Sequence, residues 1–467
     1  MAELHTLTAV ELLDGYKAGA FSPLEATRAA LGRIEEFNPR LNAFCLIDAD
    51  RALAAAKESA ARWTKGSSIG ALDGVPISIK DLLLTKGWPT LFGSRTTDPD
   101  QKWNDDASVV ARVREAGAVL LGKTTTPEFG HKGVTDSALY GITRNPWNPE
   151  LTPGGSSGGA GAAVAAGMGP LAIGTDGGGS VRIPCNFCGL VGFKPTAHRL
   201  PIWPVSTWGP LATPGPMART VADVALLFSV LTRPDPRDAL ALPYEDVDYQ
   251  DGLGAGIDGL RVAYSADLGF ARVHEEVTKV VAQAAKTFAG TGAVVEETDP
   301  GFGNPLKLFR ANFTAGSAAS QAHLSAEQRK LLDPLYGEVV DAGDKLLARD
   351  YVLAQRDRAN MMAKMNAFHE RFDLLILPTS AVPPFPVGRP DPDEDEGGSW
   401  QGWFNFTFPF NVTGQPAMTL PCGFTEAGLP IGLQIVGAMG QDRLVLRAAA
   451  AFERLTGLGG MMAPAFR

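Results

Sequence analysis

Apolar residues recur along this chain in two alternating periods, and the alternation sets the expected architecture. A capping box, Ser22 to Glu25 with proline at the first helical position, opens a helix expected to stop at Asn38 and Pro39. Gly74 to Lys80 reads GVPISIK, a short β-branched run entered from glycine and proline, so Lys80 is placed at a strand end. Helical spacing over Ala107 to Gly117 is followed by a brief apolar strand, Ala118 to Gly122, and then by the polar run Lys123 to Pro127. Ala160 to Gly174, mostly alanine and glycine, reads as a buried helix. Thr220 to Asp223 carries a second capping box. Leu260 to Tyr264 reads as a strand before a helix, and Phe309 to Phe372 as a long, mostly helical stretch of mixed charge. Asn411 to Leu420 and Leu429 to Val436 read as strands joined by a turn near Ala427 and Gly428. Asp442 to Leu455 is a closing amphipathic helix. Helices and strands alternating in this way define an α/β fold.

Composition narrows the class. The 467 residues carry 42 basic and 51 acidic side chains, a net charge of -9, with no run of five or more basic residues, so nucleic acid and anionic lipid are poor partners. The start of the chain lacks a basic segment leading into an apolar one, and no stretch reaches the roughly 20 apolar residues of a membrane span. Four cysteines are too few for a disulfide framework, which points to a reducing, cytoplasmic setting; Cys185 and Cys188 form a lone C-x-x-C read as buried structural thiols. None of the six histidines has metal-ligand spacing, so no metal is expected. The G-x-G-x-x-G at Gly254, Gly256 and Gly259 precedes an apolar run instead of following a strand, which makes it turn chemistry. Pro383 to Gly398, rich in proline and acids, is expected to be a polar, mobile loop.

The candidate chemistry lies between Asn145 and Gly192, where glycine is concentrated. Gly154 to Gly158 satisfies G-x-S-x-G, but the nucleophile elbow of that pattern needs a strand before it, and Asn145 to Pro153 holds three prolines. Gly174 to Pro184, GTDGGGSVRIP, puts Ser180 after three glycines, where backbone N–H groups converge with no Cβ in the way, as an acyl-transfer oxyanion requires.

Together, GVPISIKD at Gly74, GGSSGGAGAAVAAG at Gly154 and GTDGGGSVRIP at Gly174 resemble the amidase signature family. The likeness continues through YGITRNPWNP, FCGLVGFKPT, GPMARTVAD and FNVTGQPAMTLPCGF and covers nearly the whole chain. It implies one large domain over residues 1–467 with a mixed twisted sheet flanked by helices. The catalytic core would span about 70–230, a variable region about 234–370, and closing elements about 371–460. It also implies a Ser-Ser-Lys triad that hydrolyses a carboxylic amide without a cofactor: Ser180 as nucleophile, Ser156 as a bridge on a cis peptide after Gly155, and Lys80 as base. A lysine at its reference pKa is neutral only about one part in a few thousand at pH 7, so Lys80 must be desolvated, and its neighbours Val75, Ile77, Ile79 and Leu82 favour that.

By the same resemblance, the backbone N–H groups of Gly177, Gly178, Gly179 and Ser180 hold the oxyanion, while Ser157 and a buried Asp176–Arg182 pair support the loop. Phe129, Trp203, Trp208, Trp403, Phe404 and Phe406 lie in segments that border the acyl pocket of similar proteins, which points to apolar or aryl amides. Gly177 stands where the family often has a larger residue, a departure expected to loosen the loop or widen the site. Two other functions remain open: the glutaminase subunit of a tRNA-dependent amidotransferase, and an esterase or acyltransferase using the same acyl-enzyme. Ile183, Ala197 and His198 depart from the usual pattern of that glutaminase. A homodimer is common in such families, but nothing in the sequence fixes an interface.

Overall fold

The computed structural model describes residues 3–392 and 402–466. Its strands are β1 (Phe44–Ile47), β2 (Pro76–Lys80), β3 (Val119–Thr124), β4 (Asp136–Ser137), β5 (Gly141–Ile142), β6 (Leu171–Asp176), β7 (Val191–Lys194), β8 (Thr213–Ala218), β9 (Arg261–Tyr264), β10 (Val294–Glu297), β11 (Leu374–Pro378), β12 (Ala417–Phe424) and β13 (Pro430–Gly437). Eleven form one mixed sheet in the order β1-β3-β2-β6-β8-β7-β12-β13-β11-β9-β10, while β4 and β5 make a small separate hairpin. This is a single α/β domain. β2 runs parallel to both β3 and β6 and is buried along its whole length, as a strand covered on both faces must be. The edge strands β1 and β10 are only four residues long, and β10 ends on two glutamates, which discourages edge-to-edge pairing.

Alternation along β2 and β6 decides which side chains face which layer. Ile77 and Ile79 of β2, with Leu171 and Ile173 of β6, enter the largest apolar core, together with helices Val221–Leu231, Glu275–Ala289 and Asp442–Thr456. Ala172 of β6 points the other way, into a core built on helices Gly158–Ala165 and Arg182–Cys188. Lys80 shares the parity of Ser78, opposite to the two isoleucines, and so belongs to that second side. Helix Gly158–Ala165 approaches its neighbours closely at Gly159, where there is no side chain: a Cβ there would stand 2.5 Å from the backbone at Ala43 and Thr125.

Several expectations change. An earlier helix, Ala9–Ala18, precedes the expected first one and has its own capping box, Thr8 with Glu11. The Ser22 capping box forms, but its helix runs through Pro39 to Leu41 and stops at Asn42, whose left-handed φ of 51° ends the turn. Thr220 does cap its helix, yet Asp223 does not reciprocate; its carboxylate accepts from the N–H groups of Ala9 and Val10 and ties the first helix to the core. The stretch Ala160 to Gly174 divides into the end of helix Gly158–Ala165 and the start of β6. Asn411 belongs to helix Phe408–Thr413, and the strand begins only at Ala417. The first part of the proline-rich segment is packed, with Phe385 buried and its carbonyl accepting from Thr152 N–H; the part from Asp393 onward lies outside the described residues. No helix among the described residues is long and apolar enough to cross a membrane.

Candidate active site

Parallel strands β2 and β6 end side by side, and the turn residues beyond such ends are where α/β sheets present chemistry. Lys80 is the last residue of β2 and is fully buried. Its Nζ donates to Ser156 Oγ at 2.7 Å, Ser157 Oγ at 2.9 Å and Thr175 Oγ1 at 3.0 Å. All three partners are hydroxyls. Burial therefore drives the Lys80 pKa well below its usual value, and the charge of Asp176 opposes this only in part. The two serines precede helix Gly158–Ala165, and the Gly155–Ser156 peptide is cis, as the resemblance implied. Ser157 is the hub of the support: besides Lys80, its hydroxyl meets the carbonyl and N–H of Thr175 at 3.2 and 3.3 Å.

Ser180 lies on the turn between β6 and helix Arg182–Cys188, and its carbonyl accepts from Ser157 N–H at 3.1 Å, which pins the two serine loops together. The turn is organised by Asp176 and Arg182, both fully buried. The guanidinium holds the carboxylate with Nε and Nη2 at 3.0 and 2.9 Å and extends to Thr407 O, Gln434 Oε1 and Asn411 Oδ1. Burial alone would raise the Asp176 pKa; the guanidinium outweighs it and holds the carboxyl well below the usual range. Asp176 also accepts from Gly179 N–H at 2.8 Å and Val181 N–H at 3.2 Å. Gly179, expected among the oxyanion donors, therefore has its N–H committed to the loop's own carboxylate. Among the described residues, the N–H groups of Gly177, Gly178 and Ser180 have no acceptor, and these three residues line a recess.

That recess is walled by Gly130 to Gly133, Ile183, Trp208, Phe309, Phe313 and Phe404. Gly130 brings it to the triad region, since a Cβ there would be 3.1 Å from Ser156 Oγ. Of the six aromatic pocket candidates, Trp208 and Phe404 are in the wall. Trp203 lies elsewhere, its ring covered by the Arg237 guanidinium at 4.0 Å from the centroid. Trp403 stacks on Phe187 behind the wall, and Phe129 is stacked between Phe92 and Tyr336. Phe406 is fully buried in a different cluster. Sequence reasoning did not single out Thr175, the third partner of Lys80, although it sits inside the quoted GTDGGGS run. It also missed Thr407, whose hydroxyl donates to Gly178 O at 2.7 Å, and Phe309 and Phe313, which come from the variable region. Cys185 and Cys188 are buried on helix Arg182–Cys188, where burial pushes both thiols up and leaves them inert.

A desolvated lysine touching serine hydroxyls, beside a glycine turn with unused N–H groups, is the equipment of a hydrolase that works by acyl transfer. Comparison with known proteins makes the class specific. The Amidase family model matches residues 25–446, and the chain belongs to that family, the amidase signature enzymes; it is an amide-hydrolysing enzyme. It is 39% identical to an acylamidase of Rhodococcus erythropolis, over 96% of this chain and 95% of that one. It is 35% identical to one of the subunits of the glutamyl-tRNA(Gln) amidotransferase of Chloroflexus aurantiacus, over 98% of each chain. Among solved structures, a bacterial aryl acylamidase of the amidase signature family superposes with a TM-score of 0.92 at 31% identity, over 97% of both chains.

Proposed function

We propose that this amidase cleaves apolar or aryl carboxylic amides through an acyl-enzyme on Ser180. Neutral Lys80 takes the proton of Ser156 Oγ, Ser156 takes that of Ser180, and Ser180 Oγ attacks the amide carbon. The N–H groups of Gly177, Gly178 and Ser180 receive the oxyanion. The proton then returns from Lys80 through Ser156 to the departing nitrogen, the C–N bond breaks, and amine or ammonia leaves. Water hydrolyses the ester by the same relay and releases the acid. Metal and organic cofactors have no step in this scheme. The observation that carries it is the 2.7 Å contact of the fully buried Lys80 Nζ with Ser156 Oγ.

The experiment is labelling with a fluorophosphonate probe and mass-spectrometric mapping of the adduct. An adduct on Ser180 that is lost in Lys80→Ala is expected; an adduct on Ser156, or labelling of Ser180 that persists in the variant, overturns the assignment. The aromatic wall, and the resemblance to an acylamidase and an aryl acylamidase, support apolar substrates over glutamine. The relation to the amidotransferase keeps a second reading: glutamine hydrolysed only when partner proteins are added would replace the first. Free thiols at Cys45, Cys185, Cys188 and Cys422 support a reducing compartment such as the cytoplasm.

A further inference from the structure

Gly177 does not widen the site, because the space its missing side chain leaves is filled. A Cβ at 177 would lie 2.7 and 2.9 Å from Cε3 and Cζ3 of Trp208, the only atoms among the described residues that the position meets within 4 Å beyond its chain neighbours. The φ of Gly177 is outside the left-handed region, so the backbone does not call for glycine there; the indole does. The other side of Trp208 repeats the arrangement. Gly316 sits inside helix Leu306–Ser320, where glycine is unfavourable, and its Cβ would meet Trp208 Cδ1 at 2.7 Å and Thr207 O at 2.6 Å. Trp208 is thus wedged between two glycines from distant parts of the chain. Its indole N–H donates to no group among the described residues, so shape alone seats the ring. Phe313 meets it edge-on at 4.9 Å between centroids and stacks on Phe309 at 5.5 Å, and Phe309 in turn covers Gly178, 3.0 Å from where a Cβ would be. Both glycines with free N–H groups therefore carry an aromatic ring where a side chain would stand.

Three groups surround the attacked carbon. Its oxygen turns to the free amides, and its leaving nitrogen must face Ser156, which returns the proton. The acyl substituent takes the remaining direction, where Trp208, Phe309, Phe313 and Phe404 form the aromatic part of a wall completed by His131, Lys132, Gly133 and Ile183. We propose that Trp208, wedged between Gly177 and Gly316, determines acyl-group specificity, as a flat wall that accepts planar aryl acyl groups and turns away branched ones. The inference rests on the acyl-enzyme reading above.

The test compares kcat/KM for benzoyl and pivaloyl amides of one common amine in the intact enzyme, with Trp208→Ala, Trp208→Phe, Gly177→Ala and the Gly177→Ala/Trp208→Ala double variant, each checked by thermal melting. The intact enzyme favours benzoyl; Trp208→Ala lowers the benzoyl-to-pivaloyl ratio about tenfold, and Trp208→Phe, which keeps a flat ring, lowers it less. Gly177→Ala reduces benzoyl turnover more in the intact background than once the indole is gone, because only the intact protein adds the clash with the indole to the change in the oxyanion turn. A ratio unchanged within about twofold in a folded Trp208→Ala protein, against the tenfold that an aromatic contact supplies, overturns the proposal. Equal effects of Gly177→Ala in both backgrounds overturn it too. So does a selectivity change seen only when the amine is varied and the acyl group held constant. In each of these cases Ser180 labelling would still report the acyl-enzyme, whereas failure of labelling would refute the function and this inference together.

Discussion

Replacing Arg182 with methionine keeps the length of the side chain and removes the cation that, alone among the described residues, touches Asp176. The structure sets the size of the effect. The guanidinium makes two bonds to the carboxylate and three more to Thr407 O, Gln434 Oε1 and Asn411 Oδ1, all in a fully buried setting. Breaking a buried ion pair from one side costs about 3–5 kcal/mol, because the remaining charge has no compensation. With an unfolding entropy of about 2.1 cal/mol/K per residue, a chain of this length responds to that loss with a fall in Tm of about 3–5 °C. Activity should fall further than stability. Asp176 anchors the N–H groups of Gly179 and Val181, which flank Ser180, so a relaxed carboxylate displaces the nucleophile, and a shift of about 1 Å can cost on the order of a hundredfold in kcat. Calorimetry and amide-hydrolysis kinetics measure the two quantities. Adding Asp176→Asn to Arg182→Met should restore part of the Tm, since the stranded charge is gone. A Tm within 1 °C of the parent, roughly a quarter of the worked loss, would refute the reasoning. So would a double variant whose loss equals the sum of the single ones.

The acid limb of kcat/KM should report Lys80: the base works only when neutral, so activity rises with pH through its pKa and levels off well below the region where a solvated lysine titrates. A limb centred at the ordinary lysine value would contradict a desolvated base. Thr175→Val removes one acceptor that stabilises the protonated amine, so kcat should drop about three- to tenfold while the acid limb moves to lower pH; a drop with an unmoved limb would make Thr175 merely structural. Acidification should also destabilise the fold through Asp176. Its folded pKa lies below the unfolded value, so its contribution is complete above the unfolded carboxylate range and is lost as pH falls through the depressed folded value. Denaturant titrations from pH 5 downward should therefore show the parent losing more stability than Asp176→Asn.

Local patterns were legible wherever a short-range force decides the outcome. The capping box at Ser22 and the strand at Pro76–Lys80 follow from side-chain hydrogen bonding and β-branching, both confined to a few residues. Pro39 misled because proline ends a helix only when the turn before it cannot adapt, and here the helix runs on to Leu41. Asp223 misled because a carboxylate three residues into a helix can serve its own N-cap or a distant helix end, and the choice belongs to tertiary packing. The alanine and glycine run from Ala160 has no period that separates helix from buried strand, so the boundary near Leu171 could not be drawn from it.

The candidate site divides along the same line. Lys80 is marked by a strand end and Ser156 and Ser180 by flanking glycines, which are local, while their roles as a triad are what the family resemblance implies; two of the three meet at hydrogen-bond distance through Lys80 Nζ and Ser156 Oγ. The Asp176–Arg182 pair was legible because six residues separate two opposite charges around a turn. The aromatic wall was legible only in part: Trp208 and Phe404 were among the aromatic candidates and Phe309 and Phe313 were not, because nothing local distinguishes a ring that lines a recess from one that fills a core. Trp203 and Trp208 lie five positions apart in one segment, yet one is capped by Arg237 and the other abuts the glycine turn. What separates them is Gly316, in a helix more than a hundred residues away, whose missing side chain lets the 207–208 backbone approach. In this amidase the residues proposed to make and break bonds are encoded in contiguous motifs, whereas the wall proposed to face the substrate depends on which distant glycines leave room for which rings.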